Sequence, residues 1–419
     1  MDFDYDILIV GAGPAGCAAA YDLAHAGKRA LLLDKRSFPR HKACACGLTR
    51  KTLKALRYSV DPVIERECRD VVLQEAGAGF AEGSRIADKD LEVRVHMRQP
   101  FCAMAVRERF DDFCLQQTLM QGAEFRKMEG IVAMRELPTH VEVEVAAFDG
   151  GTETFTAPVM LGADGSNGQT RRLAEGVRIR GYAQAAALPP EPEWYARGFA
   201  LEATVPFTSL PERLPAGDRA LDLVFDFAPI AGGYGWLFPK GDHINIGVGG
   251  FVPQSQSEAA AGTPGMHYET VTRALLADYT STKLGIPPPA NVTGQYLGLG
   301  GHAYVPSGRV LLAGDAAGMV DPLTGEGIHS AIVSGQAAAK AVAACLRANE
   351  GYAKSYARNL QRLQETLAFS YRAARSFYRE PGRGFRVMRT PMLRGLVLKT
   401  YADGLPHTRL LASLVKRVA

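Results

Sequence analysis

Short apolar runs and glycine turns alternate along this chain, and their spacing predicts its elements. Asp6-Ile7-Leu8-Ile9-Val10 suits a buried parallel strand. It feeds Gly11-Ala12-Gly13-Pro14-Ala15-Gly16, then a helix over Cys17–Ala26 closed by Gly27. A second apolar run, Ala30–Leu33, stops at Asp34. Alternating stretches at Val141–Phe148 and Thr152–Val159 flank Asp149-Gly150-Gly151 and read as a hairpin. Met160-Leu161-Gly162-Ala163-Asp164-Gly165 then repeats the strand-to-glycine theme. Strand patterns follow at Phe199–Val205, Leu221–Phe227, Gly235–Phe238 and Ile244–Val248, and Glu269–Leu284 reads as a helix. Arg309–Ala313 is a buried-type strand running into Gly314-Asp315-Ala316-Ala317. An Ala-rich helix follows over Gly327–Leu346, and the remainder is mostly helical.

The order predicts an α/β fold in which nucleotide-type elements are interrupted by β-rich insertions. A Rossmann-type dinucleotide-binding domain is expected from residues 1–75, 101–176 and 295–345. An interleaved antiparallel-sheet substrate domain takes 76–100 and 177–294, and 346–419 form a helical C-terminal region. In the first turn, Gly11 permits the tight bend, Gly13 lets a pyrophosphate approach the backbone, and Gly16 packs the helix close to the sheet. Pro14 and Ala15 complete the turn ahead of that helix, whose N-terminal N–H groups face the phosphates. Asp34, followed by Lys35, is placed to accept from a ribose. Such a turn alone is also an ordinary loop; strand, helix and acid together point to a dinucleotide, without separating FAD from NAD.

Composition narrows the class. Hydrophobic residues at 47% and charged residues at 22% are those of a globular chain of 419 residues, long enough for two or three structural units. No basic and apolar leader pattern and no run of about 20 apolar residues occurs, so a cytoplasmic location is expected. Seven cysteines at irregular spacing fit a reducing compartment better than a disulfide framework. Cys44-x-Cys46 is too short for the usual zinc pair, and no metal site is expected. The formal charge of +4 hides an asymmetry: Gly351–Ala419 carry 14 Lys and Arg against 3 Asp and Glu, the rest 34 against 41. That basic stretch, interleaved with Leu, Phe, Tyr and Met, suits a peripheral contact with anionic membrane or an acidic partner, and equally a solvated helical face. No nucleic-acid motif accompanies it.

Three segments in this order, Gly11–Gly16 with Asp34, Gly162–Gly165, and Leu312–Ala317, resemble FAD-dependent oxidoreductases of the glutathione-reductase type, in the branch shared with aromatic hydroxylases and flavin halogenases. The finer resemblance is to geranylgeranyl reductases. Lys42-Ala43-Cys44-Ala45-Cys46-Gly47-Leu48-Thr49 is similar to that family's K-x-C-G-G-G-L-T loop beside the flavin. Tyr234-Gly235-Trp236-Leu237-Phe238-Pro239-Lys240, with Asn245-Ile246-Gly247-Val248-Gly249, is similar to its Y-x-W-x-F-P-K…N-x-G-x-G segment. With Pro322–Gly327 the resemblance covers residues 5 to 345. It implies FAD as cofactor. Ala15, Asp34 and Arg107 would lie at the adenosine and pyrophosphate part, with the backbone of Ile131 toward adenine. Asp164 and Gly314 would belong to the second and third motifs. Cys44, Ala45, Gly47, Asp315, Gly327 and Ile328 would surround the ribityl chain and ring. Taken alone, Gly314-Asp315 also reads as a helix cap and Arg107 as a surface charge.

One departure stands out: Ala45 and Cys46 replace two glycines, adding β-carbons beside the flavin. Cys44 or Cys46 is a candidate proton donor, Cys44 preferred, although a free cysteine is commonly a small buried hydrophobe. Tyr234, Trp236 and Phe238 alternate on one strand face and suit either an apolar tunnel wall or core packing. Tyr234 is the second candidate proton donor. The reaction implied is reduction of C=C bonds in an isoprenoid or other apolar or lipid substrate, by hydride transfer from reduced flavin with NADPH or a ferredoxin-like protein as external electron donor. The alternatives are a monooxygenase acting on an activated aromatic ring and a flavoprotein maturation partner acting on a protein.

Overall fold

The computed structural model describes residues 2–74, 92–174, 192–214, 221–251, 264–348 and 351–404. The first third contains β1 (Ile7–Val10), α1 (Pro14–His25), β2 (Ala30–Asp34), β3 (Gly47–Thr49), α2 (Arg50–Ala55), β4 (Ile64–Cys68), β5 (Asp70–Gln74) and β6 (Glu92–His96). Then come β7 (Cys102–Ala105), α3 (Arg107–Met120), β8 (Glu124–Lys127), β9 (Gly130–Glu136), β10 (Val141–Ala146), β11 (Thr152–Ala157), β12 (Met160–Gly162) and α4 (Thr170–Ala174). The second half has β13 (Ala196–Pro206), β14 (Leu223–Asp226), β15 (Gly233–Pro239), β16 (His243–Gly250), α5 (Pro264–Leu284), β17 (Val292–Leu299) and β18 (Val310–Leu312). Four helices close the described chain: α6 (Ile328–Ala348), α7 (Tyr352–Arg379), α8 (Pro381–Arg389) and α9 (Pro391–Asp403).

A parallel sheet of order β18-β12-β1-β2-β8 forms the first layer. Its period-two pattern sorts the apolar runs onto two faces. Ile7, Ile9 and Leu32 pack toward α1, α3 and α6, whereas Leu8, Val10 and Leu33 pack against the small β9–β11 sheet through Val143 and Val145. Both faces are therefore dry, as continuous apolar strands require. The second layer is a seven-stranded sheet of order β17-β13-β16-β15-β14-β5-β6. One face packs on α5 through Leu201, Leu237, Ile246 and Tyr279; the other carries Tyr234, Trp236 and Phe238.

This topology moves two expected boundaries. β5 pairs with β14, so the substrate sheet begins at Asp70 rather than after residue 75. β17 pairs with β13 along its whole length, so a boundary at 295 would cut a strand that belongs to the second sheet. The gap of glycines in Val292–Leu299 obscures the alternation that would have revealed it. Residues 405–419, the end of the basic stretch, lie outside the described residues.

Candidate functional site

The first glycine turn meets the segment after β12. Gly11 has φ of 103°, and a Cβ there would stand 2.3 Å from the Ala163 carbonyl oxygen, so the turn tolerates only glycine. Asp34 closes the turn by accepting the N–H groups of Ala12 at 2.8 Å and Arg36 at 2.9 Å; Lys35 beside it is exposed. α1 begins at Gly13 and Pro14 with no side chain capping its N–H groups, which leaves donors for an anion; Ala15 and Gly16 are buried in its first turn.

Cations gather at that end. Arg107, the first residue of α3 and 5% exposed, holds Asp111 through two hydrogen bonds of 2.8 and 2.7 Å. Arg40 reaches the same carboxylate at 3.1 Å and stands 3.6 Å from where a Gly13 Cβ would be. Burial would raise the Asp111 pKa, but Arg107, Arg40 and Lys42 together hold it below the usual carboxylate range. Three cations around one carboxylate, next to an uncapped helix start, leave a positive excess that fits a pyrophosphate.

Across from this end, Gly314 donates to Ser334 Oγ at 2.9 Å. Asp315 lies beside the start of α6, where a Cβ on Gly327 would come 3.2 Å from its Oδ1. Burial raises the Asp315 pKa, against Lys42 and Arg107. Pro14, Lys42, Cys44, Ala45, Gly47, Arg107, Asp315, Gly327 and Ile328 all line one cavity of about 490 Å³. The residues expected around a flavin ring are thus brought together.

The Cys44 loop is pinned from below. Lys240, 2% exposed at the end of β15, donates from Nζ to the Ala45 carbonyl at 2.8 Å and to that of Ala105. Cys44 N–H donates to Glu202 Oε1 at 2.7 Å, and Cys46 N–H to Cys44 Sγ at 3.3 Å. Hydrogen bonding from Cys46 holds the Cys44 thiol well below the usual range, against burial and with help from Arg107. Burial and Cys44 push the Cys46 thiol the other way. Cys46 has φ of 49°, the left-handed region, and among the described residues it is the only non-glycine there. The cysteine therefore occupies a conformation that suits the glycine it replaces, and its side chain is buried in the core, 1% exposed.

Beyond the loop the wall is aromatic. Phe238 stands near Gly47, and Phe225 touches Phe238 and Tyr234 at centroid distances of 5.2 and 5.5 Å. Phe227 continues the row, 5.6 Å from Tyr234 and 4.9 Å from Phe377 of α7. Trp236 is locked by donation from Nε1 to Asn245 Oδ1 at 2.7 Å. It lies across Gly247, where a Cβ would meet its ring at 2.1 Å, which gives the Asn-x-Gly spacing a steric reason.

Several expectations need correction. Tyr234 is poorly suited to give a proton: its hydroxyl already donates to the Thr324 carbonyl, and burial raises its pKa far above the ordinary value. The C-terminal helices are not simply a solvated face, because Phe377, Phe385, Leu398 and Tyr401 wall the same cavity. Asp164 turns toward α4, accepting the N–H and hydroxyl of Thr170, each at 2.9 Å, with Oδ1 buried and unpartnered. The Ile131 side chain packs under β1 and β2, 3% exposed, which leaves the expected backbone contact as it stood. No sequence motif assigns a role to Arg40, Asp111, Glu202 or Lys240. Glu202 carried a readable signal, an acid on the opposite face of a strand whose Phe199, Leu201, Ala203 and Val205 alternate as core.

The family described as "FAD binding domain" matches residues 4–187 and 303–369. The chain is 26% identical over 384 residues to digeranylgeranylglycerophospholipid reductase 1 of Methanopyrus kandleri, covering 89% of each chain. It is 29% identical over 352 residues to menaquinone reductase of Mycolicibacterium smegmatis, covering 81% of this chain and 76% of that one. Its fold is also that of a flavin-dependent brominase, with a TM-score of 0.71 at 16% identity over 99% of this chain and 97% of that one.

Proposed function

The chain belongs to the FAD binding domain family of oxidoreductases, with FAD as its cofactor, and from that premise we propose that it saturates C=C bonds in an isoprenoid chain. The observation that carries this reading is the continuous apolar wall leading from the Cys44–Gly47 loop to α7. An isolated alkene offers no carbonyl to polarise, so reaction depends on holding it dry and close to the cofactor. The fold is shared with a brominase and does not choose the chemistry; the wall and the two reductase relatives favour reduction.

FAD, when bound, supplies the two-electron chemistry. The protein supplies the rest. Arg107, Arg40 and the α1 N-terminus would hold the pyrophosphate. Asp315, Gly327 and Ile328 would face the ribityl and ring part, and Asp34 the ribose. Lys240 fixes the Ala45 carbonyl and so sets the height of the Cys44 loop above the cavity. Trp236, Phe238 and Phe225 exclude water from the apolar end. An external donor, NADPH or a ferredoxin-like protein, would reload the cofactor.

Substrate entry is proposed past α8 and α9. Arg383 and Met388 line the cavity there, while Arg386, Arg389 and Lys399 are exposed alongside Met392, 80% exposed, and Leu396, 40% exposed. Cations with protruding apolar side chains suit an anionic lipid surface. No helix among the described residues is long and apolar enough to cross a membrane.

The test is anaerobic incubation of dithionite-reduced protein with menaquinone and geranylgeranyl diphosphate, read by product mass. Two added hydrogens per saturated side-chain bond are expected, counted after reoxidation of the quinone ring, which itself takes up two hydrogens. Unchanged substrates, or a product that gains oxygen only in air, would overturn the reading.

A further inference from the structure

Glu202 is a cavity-lining carboxylate without a salt bridge among the described residues, as is Asp315, whereas Glu326 and Glu380 pair with Lys51 and Arg383. It projects from β13 onto the cavity face, abreast of Gly247 and Trp236 on the next two strands. Because position 247 has no side chain, Trp236 leans over the gap toward it. Glu202 is 7% exposed, and one oxygen accepts the Cys44 N–H at 2.7 Å. The groups facing it are Cys44 from the loop, Asn245 from β16 and Lys240 from the end of β15. Lys240 is turned away, donating to the Ala45 and Ala105 carbonyls. A carboxyl buried in this way favours its neutral, proton-carrying form, and burial pushes its pKa to about 7. Tyr234 has committed its proton to Thr324, so Glu202 is the better acid on this wall.

Building on the reductase reading above, we propose that Glu202 is the general acid that protonates the substrate alkene. Saturating one C=C bond takes two electrons and two protons. The cofactor, when bound and reduced, would supply two electrons and one proton to one carbon. The Glu202 O–H bond breaks to give the second proton to the other carbon as the π bond is lost. The carboxylate left behind takes a proton from water once product departs. A carboxyl near neutral pKa is matched to that cycle.

The test uses FAD-loaded wild type, Glu202→Gln and Glu202→Asp; Gln keeps an acceptor for the Cys44 N–H. Two quantities are read: the pH titration of the bound flavin's absorbance, and the anaerobic single-turnover rate at which menaquinone loses a side-chain double bond. The wild-type spectrum should shift with a midpoint near pH 7, and Glu202→Gln should lack that shift. The variant's turnover should fall about 100-fold and lose its pH dependence, with Asp restoring most of it. If Glu202→Gln titrates and turns over like wild type, the inference is overturned while the reductase reading stands. If wild type reduces no alkene, that reading falls instead, and the absorbance titration still decides whether Glu202 holds the proton.

Discussion

Glu202 and Glu326 both line the cavity, yet they are set in opposite states by what surrounds them. Burial would raise both. Around Glu326 it is outweighed: Lys51 pairs with it at 2.7 Å, Tyr401 donates at 2.7 Å, and Thr49 and Thr52 donate at 2.9 and 3.0 Å. Its pKa falls to about 2, whereas that of Glu202 rises to about 7. One wall thus carries a fixed anion that straps α9 to the 322–327 loop, and the other a carboxyl free to exchange its proton. Burial sets the stakes, and the donor count decides the outcome.

Removing the cation from the Glu326 wall should have the largest effect. Lys51→Met leaves a buried carboxylate without its ion pair and should cost about 3 kcal/mol of stability in a denaturant melt. Adding Glu326→Gln to that variant should recover much of the loss; if the double variant is no better, the strap is not held by this pair.

pH separates the two glutamates next. The folded Glu326 pKa lies below its unfolded value, so its contribution is present above about pH 4.5 and is lost as pH falls toward 2. The folded Glu202 pKa lies above, so its contribution is full below about pH 4.5 and is lost as pH rises through 7. Each amounts to about 3 kcal/mol. Glu202→Gln should therefore flatten the decline in stability between pH 5 and 8. A wild-type slope retained in that variant would contradict the contrast.

Smaller changes refine the picture. Met392→Asp with Leu396→Asp should weaken binding to phosphatidylglycerol vesicles about tenfold, by sedimentation, with FAD binding intact. Equal binding to neutral and anionic vesicles would remove the lipid surface from the account. Cys46→Gly suits the left-handed backbone but removes the thiol that donates toward Cys44. The Cys44 thiol should move back toward its ordinary range, seen as several-fold slower alkylation at pH 6.

What the sequence made legible was local. Glycine turns, apolar runs and the Tyr234–Lys240 alternation each lie within a few residues, and their elements follow from period and turn chemistry. The roles of Glu202, Lys240 and the C-terminal helices depend on contacts across the fold: Glu202 with Cys44, Lys240 with Ala45, Tyr401 with Glu326. An isolated acid in a strand or a tyrosine in a basic helix has no local signature of such a partner. The Cys46 backbone is an intermediate case, since the missing glycines were visible but the conformation the cysteine would accept was not.

The proposed reaction requires the apolar cavity to bring reduced FAD to an alkene. The most direct measurement is the visible spectrum of the dithionite-reduced holoenzyme, freed of excess reductant, after anaerobic addition of menaquinone. Oxidised flavin absorbance should return in step with loss of a side-chain double bond. A spectrum that stays reduced until air is admitted would contradict it.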